Sequence, residues 1–154
     1  QCNLRCIMCW QTYDREINRQ RHQVTNMNLE HLRSLLTDDS LADATVSVVG
    51  GGEPFLYPHL EALLRQATTT GRRVMIMTNG TLLHNYPFFW EIAREANITL
   101  MFSMDAAKAE TYAQIRPPGR WQRTHGRAQQ LCGPSGGMRT SIRSEQSFSA
   151  FESR

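Results

Sequence analysis

Residues 44 to 58 read ATVSVVGGGEPFLYP, and the fold class can be inferred from this stretch. A short run of small and β-branched residues passes directly into three glycines, a glutamate and a proline. Such a run is typical of a buried parallel strand, and a glycine-rich turn at its end is typical of the loop that leads into a helix. The stretch therefore predicts one βα unit, with its strand at residues 44 to 49.

Two later runs repeat the pattern, RVMIM at residues 73 to 77 and ITLMF at residues 98 to 102. The segments between the strands have the apolar stripes of helices, one after Pro58 and one from Pro87. A short helix is predicted from Lys108 to Ile115, and an earlier one is predicted after Asn28, with an inward face of Leu29, Leu32, Leu35 and Leu36. This alternation predicts an α/β fold with parallel strands.

The pattern stops after Trp121, which divides the chain into a core domain of residues 1 to 121 and a tail of residues 122 to 154. Of the 33 tail residues, nineteen are Ser, Arg, Gln or Gly, and a fourth strand would be due near residues 128 to 142. That stretch has no run able to bury a continuous face. We therefore expect the tail to be disordered or poorly packed, and not homologous to the core.

Composition favours one globular domain, because 40% of the 154 residues are hydrophobic and the formal net charge is only +3. Lys and Arg are scattered before the tail, which gives little support to nucleic-acid binding. No run approaches the roughly 20 apolar residues that a membrane helix needs, and no basic-then-apolar leader is visible. We expect a cytoplasmic protein with neither a membrane nor a nucleic-acid partner.

The strongest local signal is QCNLRCIMCW at residues 1 to 10, in which Cys2, Cys6 and Cys9 form a Cys-x3-Cys-x2-Cys arrangement. Three cysteines within eight residues indicate metal ligation rather than disulfides. Structural zinc and cubane clusters held entirely by protein take four protein ligands, so a triplet leaves one metal position for an exogenous ligand. The alternative is a zinc knuckle completed by His22, His31 or Cys132.

The turn Gly51-Gly52-Glu53 is the second signal. Glycines let a ligand approach the backbone, and a carboxylate can accept hydrogen bonds from an ammonium group, so the turn suits an amino-acid moiety. Judged alone, a Gly-Gly-Glu sequence is more often an ordinary tight βα turn.

Polar residues also follow the two later strands, Thr78 and Asn79 in one loop and Ser103 and Asp105 in the other. Each pair alone is more often a turn or a helix cap. The carboxyl ends of parallel strands form one rim, however, so these side chains and Glu53 should converge. Convergence would turn several weak signals into one candidate binding site.

Taken together, the motifs resemble the radical S-adenosylmethionine superfamily, whose hallmark is a Cys-x3-Cys-x2-Cys loop followed by a Gly-Gly-Glu strand end. The resemblance covers roughly residues 1 to 121, in which the cysteine triplet, GGEP, TNG, SMD and TYAQIR follow in the family's order. It implies a partial (β/α)6 TIM-like barrel with parallel strands, truncated at both ends. Within the superfamily the chain looks most like the branch with peptide-maturing and molybdenum-cofactor-forming enzymes.

The resemblance implies that Cys2, Cys6 and Cys9 hold a 4Fe-4S cluster whose fourth iron binds S-adenosylmethionine. It assigns the methionine end of this cofactor to Gly51, Gly52 and Glu53. The remaining cofactor-binding residues that it implies are Met8 near the adenine, Ser103 and Asp105 near the ribose, and Thr78 and Asn79. Arg116 could reach a carboxylate, although we expect its side chain to face solvent.

The implied activity is that of a radical S-adenosylmethionine enzyme, which cleaves the cofactor reductively to a 5′-deoxyadenosyl radical that abstracts hydrogen from a substrate. The substrate is unassigned, a peptide being one candidate, and the implied partner is an external one-electron reductant. Two alternatives stay open, a zinc-binding interaction module and a catalytically inactive barrel fragment. The zinc module is the less favoured, because it predicts none of the later loops.

Overall fold

The structure, a computed structural model, describes residues 1–13, 26–132 and 140–143. Its centre is a parallel sheet in the order β1-β2-β3-β4, with β1 at Thr45–Val48, β2 at Arg73–Thr78, β3 at Ile98–Ser103 and β4 at Thr140–Arg143. The first three strands confirm the sequence prediction to within one residue at either end. Strands that neighbour in sequence also neighbour in space, as expected of a partial βα barrel.

Helices connect the strands and follow the predicted pattern. They are α1 (Trp10–Tyr13), α2 (Leu29–Thr37), α3 (Leu60–Thr69), α4 (Pro87–Glu95), α5 (Ala109–Ile115) and α6 (Trp121–Cys132). Short 3-10 turns lie at Asp39–Leu41, Pro54–Leu56 and Leu83–Asn85. The side chain of Asn28 caps α2 by accepting from the Glu30 N–H at 2.7 Å, and Pro87 opens α4.

The two faces of the sheet have different surroundings. Alternate residues of β2 and β3 are fully buried beneath the helices and form the core with α3 and α4, among them Val74, Ile76, Leu100 and Phe102. The intervening residues, such as Met77 and Met101, are only half-buried on the opposite face. Met77 and Met101 are also register partners. That second face leads to the cleft described below.

The inward face predicted for α2 is partly wrong. Leu36 is buried and Leu32 packs against the core, but Leu35 is 49% exposed. Helix α2 contacts α3, and Leu32 and Leu36, four residues apart, form one row on its inward side. Leu35 lies beside that row.

The prediction that the repeat ends at Trp121 is also wrong, because α6 and β4 form a further βα unit and β4 pairs with β3 from Leu100↔Thr140 to Ser103↔Arg143. Backbone hydrogen bonds hold a strand at the end of a sheet, so β4 does not need a continuous apolar run. The domain boundary at residue 121 stays a prediction, and residues 133–139 and 144–154 of the expected tail lie outside the described residues. No helix in the described part of the chain is long and apolar enough to cross a membrane.

The buried face of β3 provides a test of this architecture. Leu100 is 0% exposed at the centre of the core, so Leu100→Ala should lower the free energy of unfolding by about 2–5 kcal/mol, measured by urea denaturation. Leu35→Ala removes the same atoms from an exposed position and should change it by less than about 0.5 kcal/mol. Equal losses at the two positions would contradict the assignment of the core.

Candidate functional site

A cleft lies at the carboxyl ends of β1, β2 and β3, with a volume of about 930 Å³, its open mouth included. All of the site residues predicted from the sequence line this cleft, except Gly51. Gly51 belongs to the same turn but lines a neighbouring pocket instead. The predicted residues therefore lie together in the structure, while their roles in binding stay predictions.

Residues 1 to 9 form one wall, called here the cysteine loop. Backbone hydrogen bonds dock it onto the end of α5, from Arg5 N–H to Pro117 O at 2.6 Å and from Ile7 N–H to Ile115 O at 2.9 Å. On its other side the Glu53 N–H donates to Gln1 O at 2.8 Å. Leu4 is buried beneath the loop, which is thus held at three points although it contains no regular secondary structure.

The three cysteines of the loop are free and half-buried, and all of them line the cleft. Among the described residues, no three His, Cys, Asp or Glu side chains converge tightly enough to hold a single metal ion. A cluster held by three thiolates needs three cysteines around one cavity, and the three free thiols of this cleft provide that donor set.

Electrostatics around the thiols favour a cationic occupant. Burial raises the pKa of the Cys6 thiol above its ordinary value, and the neighbouring Cys2 and Cys9 raise it further. The Arg116 guanidinium opposes this rise in the pKa. Three thiolates in a half-buried cleft repel one another, so a bound cation would stabilise their ionised form.

Glu53 ties the end of β1 to the end of β2. Its carboxylate accepts from the Thr78 hydroxyl at 2.5 Å, from the Asn79 N–H at 2.8 Å and from the Phe55 N–H at 3.3 Å. Burial raises the pKa of Glu53, while these hydrogen bonds oppose the rise. The side chain is 4% exposed and still lines the cleft, so its carboxylate both holds the loops together and borders the cleft.

Gly52 is required by the approach of the cysteine loop, and Gly51 leaves room for the Trp10 side chain of α1. A Cβ on Gly52 would lie 2.4 Å from the Gln1 carbonyl oxygen, and one on Gly51 would lie 2.8 Å from the Trp10 ring. Gly50 has φ +143°, a conformation that side chains rarely adopt. The sequence suggested that these glycines make room for a ligand, whereas the structure shows that they first make room for the chain itself.

Arg116 does not face solvent as the sequence analysis expected. It is 8% exposed, and its guanidinium pairs with Asp105 through Nε at 2.5 Å and through Nη2. Both side chains line the cleft beside Cys6. The sequence gives only a weak signal for this pair, since an arginine before two prolines is more often exposed. The packing of α5 is what turns the Arg116 side chain inward.

Helix α5 is held in the position that this pair requires. Tyr112 is fully buried, and its hydroxyl makes a 2.9 Å hydrogen bond with the Thr124 hydroxyl of α6. Burial raises the pKa of Tyr112. A Cβ on Gly119 would lie 2.6 Å from Arg116 O and 2.9 Å from the Tyr112 ring, so the chain passes closely over the helix end. The TYAQIR segment therefore positions Arg116.

The sequence analysis missed two further residues at the site, Asn3 and Thr81. Asn3 lies between the first two cysteines, and its amide hydrogen-bonds to Asn79 and Thr81. Thr78 and Asn79 were predicted to bind the cofactor, but their polar atoms are engaged within the protein. In this structure Thr78 and Asn79 therefore stabilise the walls of the cleft. The pattern Asn-Gly-Thr reads as an ordinary turn, so no local signal would have found Thr81.

The fold and the cleft define a parallel βα barrel segment with a three-cysteine site at the carboxyl ends of its strands. The family model of the radical SAM superfamily matches residues 1–129. The chain belongs to this superfamily, whose members use a 4Fe-4S cluster and S-adenosylmethionine.

Curated relatives include two proteins of Methanosarcina barkeri. The chain is 30% identical over 125 residues to an AdoMet-dependent heme synthase, covering 80% of this chain and 34% of that protein. It is 32% identical over 84 residues to an Fe-coproporphyrin III synthase, covering 54% of this chain and 20% of that protein. The chain thus spans about a third or less of these relatives.

Solved structures show the same fold. Streptococcus suis SuiB bound to S-adenosylmethionine superposes with a TM-score of 0.72 at 21% identity, covering 93% of this chain and 31% of that one. TYW1 with a lysine-pyruvate adduct bound gives a TM-score of 0.56 at 20% identity, covering 93% of this chain and 51% of that one. The α/β fold predicted from the sequence, a partial TIM-like barrel, is confirmed.

The close approach at Gly52 can be tested directly. Gly52→Ala places a methyl group against the Gln1 backbone, so the cysteine loop must move, and the amides of residues 2 to 9 should exchange faster in hydrogen-exchange mass spectrometry. Gly126→Ala is the control, because nothing lies within 4 Å of its Cβ and alanine favours a helix by about 0.5–1 kcal/mol. Unchanged exchange in Gly52→Ala would show that the loop does not lie on the turn.

The buried ion pair gives a second prediction. Arg116→Ala leaves the Asp105 carboxylate buried without its partner, so the free energy of unfolding should fall by about 3–5 kcal/mol in urea denaturation. Arg65→Ala removes an arginine from an exposed pair with Glu61 and should cost less than about 1 kcal/mol. A loss in Arg116→Ala as small as that in Arg65→Ala would place the pair in solvent.

Proposed function

We propose that this chain forms the cluster- and cofactor-binding part of a radical S-adenosylmethionine enzyme. Cys2, Cys6 and Cys9 would each hold one iron of a 4Fe-4S cluster and leave the fourth iron for the amino and carboxylate groups of the cofactor. The observation that carries the proposal is that three half-buried cysteines share one cleft with a buried Glu53 and a buried Asp105–Arg116 pair. A zinc knuckle would not need such a cleft.

The acidic groups of the cleft would orient the cofactor. Glu53 would present a carboxylate to the methionine ammonium, with the backbone of Gly52 alongside. The ionisable groups of the lining are the three thiols, the carboxyl groups of Glu53 and Asp105, and the guanidinium of Arg116, so acidic groups outnumber basic ones, which suits a sulfonium cation. Because Arg116 has five N–H donors and uses only some of them on Asp105, the rest are available to a carboxylate.

The other end of the cofactor would lie toward the mouth of the cleft. Met8 is 37% exposed there and would contact the adenine through its thioether, which is a flexible apolar surface. Ser103 and Asp105 follow β3 and would contact the ribose hydroxyls. Thr78 and Asn79, whose polar atoms are used inside the protein, would support the site through Glu53 and Asn3 rather than through the cofactor.

Cys2, Cys6 and Cys9 would hold a cluster that, when bound, would pass one electron from an external reductant to S-adenosylmethionine, giving methionine and a 5′-deoxyadenosyl radical. The chain's own contribution is positional. Met77 and Met101 form an apolar floor beneath the charged groups, which excludes water from the reacting end of the cofactor. Asp105 and Arg116 hold each other fixed, so their donors and acceptors need no reorganisation when a ligand binds.

The substrate stays unassigned, because proteins with this fold carry names that refer to different substrates. One curated relative is an AdoMet-dependent heme synthase, and SuiB has also been solved bound to the precursor peptide SuiA. A peptide is therefore one candidate substrate for the whole protein, and an external one-electron reductant is its proposed partner. A cytoplasmic location stays a prediction from the sequence.

Anaerobic reconstitution tests the proposal. With iron and sulfide, the wild-type chain should take up about four irons and four sulfides, with the visible absorbance of a 4Fe-4S cluster, and Cys6→Ala should lose both. Cys132→Ala is the matched control, because the proposal needs only the triplet, whereas a zinc knuckle completed by Cys132 would lose its metal. Zinc retention without iron uptake would overturn the proposal.

Dithionite and S-adenosylmethionine added to the reconstituted chain should yield 5′-deoxyadenosine. A cluster that forms without producing it would favour the alternative of an inactive barrel fragment.

A further inference from the structure

Three side chains close a ring of hydrogen bonds between the cysteine loop and the turn after β2. Asn79 Nδ2 donates to Asn3 Oδ1 at 2.9 Å, and Asn3 Nδ2 donates to Thr81 Oγ1 at 2.7 Å. Thr81 Oγ1 then donates to Asn79 Oδ1 at 2.6 Å. Each member donates to the next, so the three bonds polarise one another in the same sense.

The backbone fixes the direction of this ring. The Thr81 N–H also donates to Asn79 Oδ1, at 3.0 Å, so the carbonyl end of the Asn79 amide has two donors directed at it. The Asn79 N–H is held by Glu53 Oε2 at 2.8 Å. With its oxygen and its main chain engaged, Asn79 turns its Nδ2 toward the cysteine loop.

The nitrogen of that amide carries two hydrogens, and the ring uses one. Asn79 Nδ2 lies 4.0 Å from Cys2 Sγ, within reach of a weak hydrogen bond to sulfur. Asn79 and Thr81 are 5% and 8% exposed, so water has little access to replace a lost partner in the ring. One amide thus holds the cysteine loop through Asn3 and faces a cysteine sulfur.

We propose that Asn79 is a positioning residue for the cluster. The ring with Asn3 and Thr81 holds the cysteine loop at the end of β2, and the second N–H acts on the sulfur of Cys2. The inference rests on the proposed function, because it takes Cys2 as a cluster ligand. Hydrogen bonds to cluster sulfurs stabilise the reduced, more negative form and raise the reduction potential. Asn79 therefore affects both where Cys2 lies and how readily its cluster accepts an electron.

Thr81→Val tests the holding role alone. Valine has the shape of threonine without the hydroxyl, so the ring opens while the Asn79 amide stays beside Cys2. In the full chain without a cluster, the amides of residues 3 to 9 should exchange at least about tenfold faster than in the wild type. Thr81→Ser keeps the hydroxyl and should restore the wild-type rate. Wild-type exchange in Thr81→Val would overturn the holding role.

Asn79→Leu tests the effect on the sulfur without a change of charge. Leucine has about the shape of asparagine, but it opens the ring and removes the N–H toward Cys2. Thr81→Val opens the ring and keeps that N–H, so it is the matched control. In the reconstituted chain, a redox titration followed by electron paramagnetic resonance should give a more negative midpoint potential in Asn79→Leu than in Thr81→Val.

A midpoint potential in Asn79→Leu equal to that of Thr81→Val would overturn the effect on the sulfur. Failure of the wild-type chain to take up a cluster would instead overturn the proposed function. The exchange experiment on the cluster-free chain would then still decide whether the ring holds the loop.

Discussion

The site depends on the close contact between the cysteine loop and the turn after β1. The Gln1 carbonyl oxygen accepts from the Glu53 N–H at 2.8 Å and lies where a Cβ of Gly52 would otherwise stand. A segment without regular secondary structure has no internal hydrogen bonds to define its path, so its backbone must find partners elsewhere. Here the partners are the Gly-Gly-Glu turn on one side and the end of α5 on the other. The cysteines face the cleft because both contacts hold.

Burial of charge is the second constraint on the site. The side chains of Glu53, Asp105 and Arg116 are nearly inaccessible to water; Glu53 is held by hydrogen bonds from Thr78 and Asn79, and Asp105 and Arg116 hold each other. A buried charge without a partner costs free energy, so each of these groups must keep its partners. Because the partners lie at the ends of different strands, the strand ends are held in one arrangement. The same arrangement leaves a cleft lined by more acidic groups than basic ones, which matches a cluster of irons and a sulfonium cofactor. The side chains that support the strand ends are thus the ones proposed to recognise the ligand.

The sheet provides the frame for both constraints. Its helix-covered face forms an apolar core, and its other face carries half-buried residues such as Met77 and Met101 toward the cleft. Because the four strands in the described part of the chain run in one direction, their carboxyl ends bring together residues that lie far apart in sequence. Thr78 meets Glu53 across 25 residues, and Asn79 meets Asn3 across 76. A partial barrel is sufficient to assemble this end of the site.

The sequence by itself determined the strands β1 to β3, the helices that cover them, and the placement of the cysteine triplet, Glu53, Ser103 and Asp105 on one rim. Such features follow from local periodicity, from turn residues and from the shared direction of parallel strands, which neighbouring residues encode. Only the tertiary structure decided that Arg116 is buried against Asp105, that Asn3 and Thr81 close a ring with Asn79, and that β4 extends the sheet. These features depend on which segments pack together across long separations in the chain, and no local pattern of residues carries that information.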